Sequence, residues 1–325
     1  MSNTKKFGTA PVFFTAISTI LGAILFLRFG FAVGTLGFWG VILIILLGHL
    51  VTIPTALAIS ELATNKRVQG GGEYFIISRS FGLNIGSTIG ITLFLSKAIS
   101  VAFYIIAFAE SFEFLFNWVA QTYGFELPRQ AISVPTTLLL SVLILKNGAN
   151  LGMKMLYSVV VILFASLVLF FAGKTGYSAE TSVSFSNFEF RNSGDFFMVF
   201  AIIFPAFTGM TAGVGLSGDL KKPSKSIPWG TTMATLAGMI VYFFVVYKLA
   251  VSVSPGDMVE NQLVMANIAI AGVVIVPLGL AASTISSAIG SILVAPRILQ
   301  ALADDKSFTV PKINRWLAVE KNGEP

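Results

Sequence analysis

The residues with the most chemistry in this chain lie between Phe196 and Lys225. An apolar run from Phe196 to Pro205 is interrupted from Ala206 to Gly218 by Thr208, Gly209, Thr211, Gly213, Gly215 and Ser217, and three lysines follow. Pro205 removes one backbone donor, and the glycines lower the helical bias of what comes next. In an apolar layer the peptide groups freed by such a break need partners that lipid cannot supply. They are tolerated where the backbone is buried in protein or lines a wet cavity, and broken helices of this kind hold ions and substrates in transporters. A packing kink built from small residues is the competing reading. Elsewhere, Thr19, Gly22 and Arg28 interrupt the first apolar run, Lys97 stands inside another, and Ser283-Thr-Ile-Ser-Ser gathers hydroxyls in a third.

The elements that must position these residues are membrane helices. The 325 residues are 55% hydrophobic and 11% charged, with a mean hydropathy of +0.85. A soluble domain carries roughly 25% charged residues, so the composition predicts an all-α polytopic membrane protein. Apolar segments fall near 9–33, 36–62, 84–118, 130–146, 152–173, 194–218, 228–252 and 269–303, giving eight expected crossings. With no cysteine and the single histidine His49, disulfides, thiolate chemistry and a zinc site are excluded as expectations. His49 reads as a packed helix residue rather than a proton carrier. No nucleophile and base constellation suggests an enzyme, and no phosphate-cradling loop or cofactor motif is present.

The net charge of +6 does not point to nucleic acid, because the basic residues are confined to short loops between apolar runs. Most of the 21 Lys and Arg fall in alternate loops, from Lys5 and Lys6 through Lys221 and Lys222 to Arg315. This bias predicts a cytoplasmic amino terminus. The stretch from Gln69 to Leu83 is too short to cross and predicts an amphipathic cytoplasmic helix; Asp257 to Asn267 predicts an external loop with helical character. Breaks in the first and sixth segments are what an inverted repeat of five helices predicts. On that pattern the first repeat covers about 8–174, a partial second repeat about 194–303, and 304–325 is a cytoplasmic loop. The whole chain, 1–325, is then one transmembrane domain whose second repeat is incomplete, a fragment or truncated relative of a longer transporter.

Several stretches resemble the cation-chloride cotransporters of the amino acid-polyamine-organocation superfamily. They are Phe204-Pro-Ala-Phe-Thr-Gly-Met-Thr-Ala-Gly with Leu216-Ser-Gly-Asp-Leu-Lys-Lys-Pro-Ser-Lys-Ser-Ile-Pro, Gly22-Ala-Ile-Leu-Phe-Leu-Arg-Phe, Gly70-Gly-Gly-Glu-Tyr-Phe-Ile-Ile-Ser-Arg, Tyr104-Ile-Ile-Ala-Phe-Ala-Glu, Ser286-Ser-Ala to Ala295-Pro-Arg, and Gln300-Ala-Leu-Ala-Asp-Asp. The likeness is collinear over nearly the whole chain and closest to the sodium-potassium-chloride branch. It implies a five-plus-five inverted-repeat core with discontinuous helices 1 and 6. That family continues for four more helices and a large cytoplasmic domain, and its second chloride site borrows a tyrosine from the tenth helix.

The resemblance also implies ligands. Potassium would be held by the Tyr104 and Thr208 hydroxyls and the carbonyls of Pro205, Thr19 and Ile20, with Thr19 standing where the family has asparagine. Sodium would be held by Ser283, Ser286 and Ser287 with carbonyls near Ser18 and Leu21; relatives that do not carry sodium lack one of these serines. Chloride would meet the amides of Gly22, Ala23 and Ile24 at one site and of Gly209, Met210 and Thr211 at another. Arg28 and Glu110 would pair as a gate at the extracellular mouth.

Lys97 departs from the family and lies seven residues before Tyr104 on the same helical face, about 10 Å away along the axis. It lines the permeation path, pairs with an acid such as Asp219, or snorkels inward. The expected activity is secondary active symport at the plasma membrane, coupling chloride to sodium and/or potassium by alternating access, with lipid and small inorganic ions as partners and a homodimer implied. The rival readings are a potassium-chloride cotransporter without sodium, an amino acid permease of the same superfamily, and a non-transporting truncated relative.

Overall fold

The computed structural model describes residues 7–65, 71–177 and 191–319, and the side chains of all of these except 65, 147–154 and 219. Within them the regular structure is helical: α1 (Thr9–Ile20), α2 (Ala23–Asn65), α3 (Glu73–Phe81), α4 (Leu83–Glu110), α5 (Glu113–Tyr123), α6 (Gln130–Ala172), α7 (Phe196–Phe207), α8 (Pro223–Ser252), α9 (Pro255–Glu260), α10 (Met265–Ile268), α11 (Gly272–Asp304) and α12 (Pro311–Leu317). Six stretches among the described residues are long and apolar enough to cross a membrane, and Gln130–Lys146 is a shorter apolar helix. Large apolar side chains are left outward on the spans, among them Leu50, Leu145 and Phe197. An aqueous solvent would penalise such faces and a hydrocarbon layer would not.

The expected breaks in the first and sixth segments are present. α1 ends at Ile20, Leu21 and Gly22 are non-helical, and α2 begins at Ala23. After α7 the chain continues as a 3-10 helix over Thr208–Asp219, 12 residues long. Runs of that tighter helix beyond a few residues are uncommon. Here Gly209 and Gly213 let the stretch lie close against α1, and Gly215 against α11, where it gains the packing that its poorer hydrogen bonds lack. A Cβ on Gly209 would stand 2.7 Å from the Ile20 nitrogen. At the far end Phe7 forms a parallel bridge with Leu220, and the Lys221 amide donates to the Phe7 carbonyl at 2.9 Å.

Several segment boundaries differ from those expected. The first two segments are joined through α2, which passes the expected boundary near 33–36 and turns at Gly37, φ 78 and ψ 178. Thr9–Thr64 spans 56 residues, about 84 Å at helical rise, enough for two passes through a layer of roughly 30 Å. Arg191 closes that joint. Its amide donates to the Leu36 carbonyl and its guanidinium to the Gly34 carbonyl, both at 3.1 Å. The fourth and fifth segments fall in the single helical run α6. The third stops at Glu110 instead of 118, since Ser111 and Phe112 turn the chain into α5, whose Trp118 and Tyr123 are exposed. α12 lies within the expected loop 304–325, where Asn314 bonds both the amide and the carbonyl of Phe308.

The main core is built by α1, α2, α7, α8, α10 and α11 around Phe26, Phe29, Phe207 and Tyr242. α8 packs along α1 and α2, while α11 packs along α4 and α6. α3 is short, as expected, and is fastened to the end of α11: Arg79 donates to both Asp305 oxygens at 3.0 and 2.7 Å, and the Tyr74 hydroxyl donates to Asp305 at 2.8 Å. Burial raises the Tyr74 hydroxyl pKa above its usual 10.0, and Asp305 beside it adds to the rise; hydrogen bonding to Asp305 raises that of Arg79.

Candidate ion site at the helix breaks

Two cavities meet at the breaks. One, of about 690 Å³, contains Arg28, Glu110 and Gln262; the other, of about 550 Å³, contains Lys97, Glu73, Ser286 and Ser287. Both linings include Thr19, Ser96, Ser100, Tyr104, Pro205 and Thr208. Three elements supply these groups. α1 ends just past Thr19, α4 carries Ser96, Ser100 and Tyr104 on one face, and Pro205 and Thr208 straddle the end of α7. Four of the five residues named for potassium are therefore brought to one place. The fifth, Ile20, lines neither cavity, and its carbonyl accepts a 2.5 Å hydrogen bond from the Tyr242 hydroxyl. Thr208 lines both cavities and donates to the Pro205 carbonyl at 2.8 Å.

The residues named for sodium divide. Ser286 and Ser287 line the Lys97 cavity, and the Ser287 hydroxyl donates to the Thr19 hydroxyl at 3.4 Å, joining α11 to α1 beside the potassium group. Ser18 and Ser283 are fully buried and donate to their own helices, to the Thr15 and Leu280 carbonyls. Leu21 lies buried in the break and lines neither cavity. Of the residues named for chloride, Ala23 and Ile24 line the Arg28 cavity and Gly209, Met210 and Thr211 the Lys97 cavity, while Gly22 lines neither.

One expected pairing is absent from this structure, and the other finds its acid. Arg28 and Glu110 both face the first cavity without pairing; Glu110 pairs with Arg129. Glu110 ends α4, and Arg129 stands where the chain enters α6, so the nearer guanidinium takes the carboxylate. Lys97 pairs with Glu73 at 3.9 Å; the side chain of Asp219 is outside the described residues. His49 is packed, as expected, with Nδ1 2.8 Å from the Ile45 carbonyl and its ring against Phe207 and Tyr242.

Tyr242 is the residue sequence reasoning missed. Fully buried on α8, its hydroxyl lies 2.5 Å from the Ile20 carbonyl and 3.1 Å from the Ala206 carbonyl. These are the last turns of the two broken helices, where carbonyls lose their helical partners. One hydroxyl thus spans both breaks. The only signal was a single polar-tipped ring in the apolar run from Met239 to Val246. Glu73 was also missed as a cavity residue, though it follows directly on Gly72.

Two broken apolar helices, packed on long spans and flanked by cavities that share one polar lining, define a helical membrane transporter. Residues 11–325 match the amino acid permease family, and the chain belongs to it. Within that family the chain is similar to the cation-chloride cotransporters. It is 30% identical to solute carrier family 12 member 1 of Mus musculus over 95% of this chain and 33% of that protein. It is also 30% identical to solute carrier family 12 member 2 of Homo sapiens, over 98% of this chain and 30% of that protein. With the bumetanide-sensitive sodium-(potassium)-chloride cotransporter of Manduca sexta it shares 33% identity over 72% of this chain and 24% of that protein. The chain spans about a third or less of these relatives' length.

Proposed function

We propose that the chain forms the ion-binding core of a secondary active symporter that couples chloride to sodium and/or potassium by alternating access. The observation carrying this reading is the shared lining of Thr19, Tyr104, Pro205 and Thr208 where the two cavities meet. Hydroxyl and carbonyl oxygens at modest field strength suit a large monovalent cation. Potassium binds there, with Ile20 contributing only when Tyr242 turns its proton to Ala206. Sodium binds among Ser286, Ser287, Ser283, Ser18 and Leu21. Chloride binds at the amides of Gly22, Ala23 and Ile24 on one side and of Gly209, Met210 and Thr211 on the other. The Arg28 cavity opens to the outside and the Lys97 cavity to the cytoplasm, in a plasma-membrane protein with a cytoplasmic amino terminus. Arg28 and Glu110 act as a gate by meeting when the outer cavity closes and Glu110 leaves Arg129. The five-plus-five repeat, of which this chain holds the first repeat and part of the second, supplies the rocking motion. No cofactor takes part, and the protein assembles as a homodimer in the lipid bilayer.

The test is rubidium uptake, as the potassium surrogate, into proteoliposomes holding the protein, with sodium and chloride withdrawn one at a time. Uptake that falls on removal of either ion is expected. Uptake that needs chloride but not sodium would assign potassium-chloride cotransport, and indifference to chloride would overturn the reading.

A further inference from the structure

Glu73 and Lys97 are the charged residues lining the second cavity among the described residues. The Glu73 side chain is 9% exposed; its Oε1 lies 3.9 Å from the Lys97 Nζ, and its Oε2 is buried without a hydrogen-bond partner. A charge-assisted bond closes to about 2.7–2.9 Å, so the two groups attract without saturating one another. A buried ion pair kept for stability needs close geometry and further hydrogen bonds to offset desolvation. This pair has neither. Both residues line the cavity, and the buried Glu73 Oε2 keeps unused hydrogen-bonding capacity beside it.

The pair's position is fixed from several sides. Gly71 and Gly72, both at positive φ, turn the chain into α3, and Gly72 abuts Gly215 of the 3-10 stretch, where an added Cβ would lie 3.3 Å from the Gly215 Cα. Glu73 follows at once. Lys97 projects from α4 two turns from Tyr104, and the same cavity holds Gly209, Met210 and Thr211. The space is thus bounded by one anion, one cation and the backbone of a broken helix.

We propose that Glu73 and Lys97 form a paired-ion site, in which Glu73 Oε2 takes an alkali cation and the Lys97 ammonium takes a halide. The proposal rests on the cation-chloride reading above. Its basis is charge balance. Empty, the pair is neutral; with one ion it carries a net charge in a poorly solvated space; with both it is neutral again. Each ion therefore favours entry of the other. This would couple cation to anion on the cytoplasmic side of Tyr104, and it assigns the departure at Lys97 a role in ion selection.

The experiment is equilibrium binding of radioactive rubidium to the purified protein in nanodiscs, with chloride replaced stepwise by gluconate. Three proteins are compared: wild type, Y104F, and the double variant E73Q/K97Q, which leaves no unpaired buried charge. In wild type, chloride is expected to raise rubidium affinity by about 5- to 150-fold, the ordinary range for coupled sites. Y104F should keep a chloride-linked class of rubidium sites, and E73Q/K97Q should lose that class while keeping the Tyr104-dependent one. A double variant identical to wild type in stoichiometry and chloride dependence would overturn the paired-ion site alone. Loss of all rubidium binding in Y104F would also overturn it, without needing the double variant to fold. A wild-type protein that binds no rubidium at any chloride concentration would overturn the function proposed above.

Discussion

The two breaks are made in different ways. The first is a gap of Leu21 and Gly22 between α-helices, while the second is a change of helix type sustained from Thr208 to Asp219. In the first, helical order resumes at once, and the freed carbonyl of Ile20 takes the shorter of the two hydrogen bonds from Tyr242. In the second, the chain is rich in glycine and its support comes chiefly from α1, α8 and α11 packed against it. Gly213 abuts the Val12 carbonyl and Gly215 the Val294 side chain. A short break can be held by one hydrogen bond. A long one has to be held by its surroundings, which makes the sixth segment the more sensitive of the two to mutation.

The largest expected effect comes from filling the space between the breaks. Gly209→Val should cost about 3 kcal/mol, because its side chain would enter the backbone of Ile20 from another helix. Thermal unfolding in detergent would show it. Tyr242→Phe should follow at about 2 kcal/mol, since two buried carbonyls lose their shared donor. It should also change rubidium affinity, as Ile20 is then free to meet the ion. Unaltered melting in that variant would mean the breaks are held independently. Gly22→Ala should be milder, about 1 kcal/mol, because the added Cβ meets the nearby Thr19 carbonyl at the end of α1, at 2.8 Å, and its closest contacts involve no other element. If it proved worse than Gly209→Val, the contrast between the breaks would fail.

The smallest effect concerns α3, which braces the second break through Gly72. Tyr74 is held neutral by burial above its usual 10.0. Its contribution is complete below pH 10.0 and is lost as pH climbs through the raised folded-state value. Hydrogen exchange at α3 should therefore rise under strongly alkaline conditions before exchange at α1 does. Asp305→Asn should produce the same loosening at neutral pH.

The breaks were legible in the sequence because Pro205 and the run of glycines state the loss of helical order directly. The gathering of Tyr104, Pro205 and Thr208 was legible through resemblance, each residue lying within a stretch that matches as a unit. The Gly37 joint was not. Gly34, Gly37 and Gly40 stand in one apolar run, and which of them takes a positive φ depends on how α2 packs. The partner of Glu110 was equally hidden, because ion pairing is decided by where the α5–α6 connection brings Arg129. Tyr242 escaped notice since apolar periodicity carries no record of a single hydroxyl's target.

The stitch between Phe7 and Leu220 makes α1 and the 3-10 stretch two struts pinned at both ends. Twelve residues of α-helix reach about 18 Å and twelve of 3-10 helix about 24 Å. The truss is unequal in its members. If the longer one tightened toward α-helical rise it would shorten by about 0.5 Å per residue. With its ends pinned, it cannot telescope past its neighbour. Any such shortening would have to be shared with α1, to which the stretch is joined at Phe7 and closely apposed at Gly209.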